Sequence, residues 1–514
     1  MKFTLKFMLT VFLALSVESA MAKGKKTPKA EKGPLTTPHI YGQVDFPIPM
    51  TAEEMAKAKK DSQVSTRGVA DTIDEETVLT EDMKNFRNEI IGGPMYVNNQ
   101  KSDKSFSGIK TKEELDRFLN KIDKDYATYT PDVQILVAQM VPMRAFRSFI
   151  FRAQELVGAF SASRSMVVTS LRMIAAGLNN YTEGMSQWEA GFSYLTEPMA
   201  GLGNRLDTEK GIQNFLRLEV EPEMKNLRSR IEKIRLDKPV YFDNKIFAAT
   251  MKFGDDNDRF IRFGEAERHA LLASIYMTQA SLYMACAYDL TGMFQAMNDV
   301  GQIYGFDALD FKVDGATAEV RTAKLNSHSS LFKLINYSDD YAHSTSYTKA
   351  AYSYIEVAVQ QAEASWNEIQ KNSNNSQFFN NIMDPRAFMP FQRVINTNFD
   401  NMKSLMKGSG IKTAMVGGQA VEVDFKGFFD RPPKDLKDFL PTHFAPGPAS
   451  KTDPATGKSY RNYLQGSPDG WDEAAYQAYF PKVKNDKDIR DAARVMSQSW
   501  GGWAVALPFA MVSM

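Results

Sequence analysis

Apolar residues recur at spacings of three and four over most of the chain from Thr111 to about Gly408, the signature of amphipathic helices. The stretch from Glu265 to Tyr304 organises the rest. Between His269 and Tyr288 no Asp, Glu, Lys or Arg occurs. A run of that length raises the question of a membrane span. Gln279, Thr278, Ser274, Ser281 and the tyrosines make it only mildly apolar, and acids as well as a base flank it, so a buried core helix is expected instead. Ala266, Ala273, Ala280 and Ala287 recur every seven residues, with Ala270, Met277 and Met284 beside them. Such a stripe lets a second helix approach closely. Ser274, Thr278 and Ser281 gather on another side.

Helix start signals set the other elements. Thr51 with Glu54, and Thr111 with Glu114, have capping-box spacing. Thr130-Pro131-Asp132 announces a helix that should run to about Phe160 with a kink at Pro142. Further helices are expected near 163–179, 183–197, 207–235, 317–336, 339–371 and 385–407, with Ser338, Asp339 and Asp340 capping the 339–371 helix. Asn372 to Asn381 should be a break. Past Gly408, residues 411–425 suit a β-hairpin turning at Gly417-Gly418. Residues 431–470 read as a Pro/Gly-rich loop, followed by closing helices. The expected fold is all-α: a long-helix bundle or irregular α-solenoid, with a small β-hairpin and long loop in the C-terminal region. The tetratricopeptide pattern is absent, because Leu and Gly do not follow Trp188 at the required offsets.

The N-terminus adds an address. Lys2 and Lys6 precede an apolar run from Phe7 to Val17, and Ala20-Met21-Ala22 is a small-x-small cleavage signal. Residues 1–22 are therefore expected to be a signal peptide, giving a periplasmic protein, or else a secreted or peripherally outer-membrane-attached one. Residues 23–110 should be a basic, Pro-rich tether and a loosely ordered arm, 111–408 the main helical domain, and 409–514 a C-terminal region. Trp500 to Met514 is almost wholly apolar but too short to span a membrane, and is expected to dock into the body.

Composition excludes more than it suggests. The 62 basic and 62 acidic residues cancel. Removing Lys2, Lys6 and Glu18 leaves 60 and 61. No electrostatic footprint for nucleic acid results. The one cysteine, Cys286, forbids an intrachain disulfide and is expected to be a small buried side chain.

Candidate chemistry is sparse. Of five histidines (His39, His269, His328, His343, His443), His269 lies four residues after Glu265, on one helix face. This pair is the weak candidate for an acid–base or metal role; a hydrogen-bonded pair at the helix start is the expected reading. Gly254-Asp255-Asp256-Asn257-Asp258 fails the calcium-loop pattern. Arg144, Arg147 and Arg152 fall at helical spacing, with Glu155 alongside, and form a candidate anion site or a set of interhelical ion pairs. Tyr337, Tyr341, Tyr347, Tyr352 and Tyr354 crowd one segment, and Tyr341, Tyr347 and Tyr354 are the candidate contacts for a protein or peptide. No phosphate loop, dinucleotide fingerprint or nucleophile elbow occurs, and neither a metal nor a cofactor is expected. The sequence thus points to an exported binding or scaffold protein of the cell envelope, with a protein or peptide partner. The alternative is a periplasmic all-α enzyme or ligand-binding protein with a cleft near His269 and the arginines.

Overall fold

A computed structural model describes residues 78–153, 186–201, 205–243, 246, 260–293, 327–335, 344–371, 392–416, 419–439, 443–445, 451–452, 459–460, 467–489 and 492. The expected signal peptide, tether, capping box at Thr51, helix at 163–179, caps at 338–340, break at 372–381 and apolar tail lie outside these residues. The described chain is mostly helical, with small two-stranded sheets.

From residue 78 onward the expected loose arm is instead structured. Helix α1 (Glu81–Ile91) is capped by Thr80, whose hydroxyl accepts from Met83 N. Strands β1 (Gly93–Val97) and β2 (Gln100–Phe106) form a hairpin turning through Asn98 and Asn99, both at positive φ. Met83, Phe86 and Ile90 are buried at helical spacing. The signal was masked by Lys84 and Arg87, which are polar yet buried; Arg87 pairs with Asp243 at 2.7 Å.

Helix α2 (Lys112–Lys124) forms both halves of the Thr111/Glu114 capping box. Helix α3 (Pro131–Met140) does not continue as an α-helix. At Pro142 the chain tightens into a 3-10 stretch, Val141–Phe146, and Ser148 at φ 53° turns it into the short α4 (Phe149–Arg152). Proline removes one helical donor and its ring crowds the preceding turn. Then follow α5 (Ser186–Thr196), α6 (Glu209–Phe215), a π-helical turn at Leu216–Val220, and α7 (Glu221–Lys233). The widened turn falls just before Pro222, where a regular helix would drive the ring against the Leu218 carbonyl. Strands β3 (Val240–Asp243) and β4 (Phe260–Phe263) pair antiparallel and lead into α8 (Glu265–Ala287).

After α8, the described end of the expected 317–336 helix is irregular. Its residues 327–335 make turns and two isolated bridges, Tyr288 with Leu334 and Lys333 with Asp435. Phe332, at φ 63°, turns the chain there and is buried. Tertiary hydrogen bonds to Ala287 O, Asp289 O and Lys434 O replace the helical ladder. Next come α9 (Ser344–Lys371), α10 (Gln392–Met406), the hairpin β5 (Lys412–Val416) and β6 (Gln419–Val423), and α11 (Phe425–Asp430). The 431–470 region contributes short strands β7 (His443–Ala445), β8 (Lys451–Thr452), β9 (Ser459–Tyr460) and β10 (Ser467–Asp469) before α12 (Glu473–Gln477).

Helix α8 lies between two apolar cores. Leu271, Leu272, Ile275, Leu282 and Cys286 belong to the first, built from α1–α7. Ala280, Met284 and Ala287 belong to the second, built with α9 to α12. By length and mean hydropathy (1.3) α8 could cross a membrane, but 61% of its most apolar window is buried in the protein. Its alanine stripe meets α9. Ser365 Oγ donates to Ala266 O at 2.7 Å, and Tyr276 and Tyr283 lie against Tyr354 and Tyr347. Each step of seven up α8 is a step of seven down α9, so the pair is antiparallel. The same register sets Ala273 by Ala358 and Ala280 by Ala351; Ala280, Ala351 and Ala358 are buried. Small side chains on both helices permit this close packing, as the stripe predicts.

Candidate functional site

Helix α7 separates the two groups of candidate side chains. At 100° per residue, Glu223 and Arg230 fall on one face, and Glu221, Arg228 and Glu232 on the opposite face; Glu219 lies in the π-helical turn that precedes α7.

The first face receives the arginines. Arg144 donates to Asp123 at 2.6 Å and to Glu223 at 3.0 Å, and Arg230 also bonds Asp123. Arg152 grips Glu219 with two hydrogen bonds and lies over the Phe215 ring. Arg147 donates to Gly201 O at 2.7 Å, with Asp116 at 3.8 Å. The three arginines are not on one continuous helix, as their spacing suggested: Arg144 is in the 3-10 stretch, Arg147 at its end and Arg152 in α4. Burial raises the Glu223 carboxyl above its ordinary value, and this outweighs the opposing pull of Arg144.

The second face builds a polar aromatic strip with α8 and α9. His269, Tyr276 and Tyr283 recur every seven residues on α8. Opposite them stand Gln361, Tyr354 and Tyr347 on α9, also seven apart. His269 Nδ1 lies 2.7 Å from Gln361 Oε1. Tyr276 and Tyr354 have ring centroids 5.9 Å apart, and Tyr283 and Tyr347 5.4 Å. From α7, Arg228 lies over both Tyr276 and Tyr354 and donates to Gln279 Oε1 at 2.9 Å. Tyr276 donates to Glu232, and Tyr283 to Glu221 at 2.8 Å. All four tyrosines are half-buried. Burial, with the bond to Glu232, pushes the Tyr276 phenol up to about 12. Burial and the Glu221 bond raise Tyr283 as well. These phenols therefore stay protonated as hydrogen-bond donors at neutral pH.

The Glu265–His269 pair sits at one end of this strip, with 3.6 Å between Glu265 Oε2 and His269 Nε2. Glu265 is engaged elsewhere, accepting from Arg268 and from Leu236 N. Burial alone would raise its carboxyl, but the Arg268 guanidinium holds it low. Cys286 is buried, which pushes its thiol up to about 12. Among the described residues, no group of three or more His, Cys, Asp or Glu is arranged to hold a metal ion.

The structure thus brings together Tyr347, Tyr354, Glu265 and His269, and sets Arg144, Arg147 and Arg152 apart from them. Tyr341 lies outside the described residues. Tyr276, Tyr283, Arg228, Glu221 and Glu232 were not singled out by the sequence. The seven-residue repeat His269–Tyr276–Tyr283, one turn aside from the alanine stripe, was the available signal. No protein-family profile, curated protein or solved structure matches the chain.

Proposed function

We propose that this chain is an exported cell-envelope binding or scaffold protein, a long-helix bundle that docks a protein or peptide partner along the α7–α8–α9 strip. The observation that carries this reading is the half-buried line of Tyr276, Tyr283, Tyr347 and Tyr354. Tyrosine covers much apolar area at low entropy cost and keeps a polar tip, which suits interfaces. The engagement of Glu265 by Arg268 and Leu236 N, and the separation of the arginines from His269 by α7, favour binding over acid–base catalysis.

The test is in-cell cross-linking from the native envelope, followed by mass spectrometry. The expected result is one near-stoichiometric partner whose cross-links map to α7 and α9, with fractionation placing the protein outside the cytoplasm. A protein recovered alone, or retained in the cytoplasm, would refute the reading.

A further inference from the structure

No further inference is drawn: the strongest candidate, the half-exposed apolar row of Ala350, Val357 and Ala364 along α9, is a helix face for which nothing in the structure shows what covers it.

Discussion

The two faces of α7 began as equal candidates and folded to opposite ends. On one, Arg144, Arg152 and Arg230 are absorbed by Asp123, Glu219 and Glu223. On the other, Tyr276, Tyr283, Tyr347 and Tyr354 keep part of their area open; Tyr276 and Tyr283 hold their hydroxyls to Glu232 and Glu221, Tyr283 also bonds Tyr354, and Tyr347 bonds Arg217. A guanidinium carries a full charge and must find a counter-charge when it leaves water. A phenol needs only one hydrogen bond and can remain half-wet. Clustered cations in a helical protein are thus readily consumed by neighbouring helices, whereas clustered tyrosines can stay at a surface.

That contrast can be broken at graded cost. Arg152→Ala strands Glu219 and uncovers Phe215, and should lower stability by about 2–3 kcal/mol in urea unfolding; Glu219 is partly exposed, so the loss falls short of a fully buried pair. Between the two cores, Ala280→Leu should push α8 from α9 and cost about 1–3 kcal/mol, read as a lower thermal midpoint. On the tyrosine face, Tyr276→Phe should cost about 1 kcal/mol or less, the net worth of one hydrogen bond. It should also flatten an alkaline limb. The folded phenol titrates at about 12 and the unfolded one at 10.0, so the folded state holds more protons between these values and wild-type stability falls as pH rises through them. The smallest effect is expected for Glu223→Gln. The folded carboxyl is raised, so the wild type loses stability as pH rises through and just above the ordinary carboxylate range. The amide keeps an acceptor for Arg144 and should remove that slope, measured as thermal midpoint against pH. A slope unchanged in the variant would mean that burial of Glu223 does not set it.

Much of the helical layout was legible. The capping box at Thr111 and the apolar run of α8 appear where their residues place them, because both signals are local. The hairpin at β5 and β6 follows alternation and a glycine pair. The α1 hairpin unit was not legible, since its buried face includes Lys84, which lies over the Tyr96 ring of the hairpin, and Arg87, whose acidic partner Asp243 is far along the chain. The break at residues 327–335 was hidden too, because its hydrogen bonds go to segments near 288 and 434. For the site, Tyr347 and Tyr354 stood out as a cluster, but Tyr276, Tyr283 and Arg228 did not.

The sequence alone determined helix content, the seven-residue small stripe of α8 and the absence of any reaction motif, since each depends on residues within one or two turns of one another. Only the tertiary structure decided which cluster stays open. Whether Arg144 meets Asp123 and Glu223, or Tyr354 meets Tyr276 and Arg228, is set by the register of helices distant in sequence. Charge pairing and ring packing act over a few ångströms of space, whatever the separation along the chain.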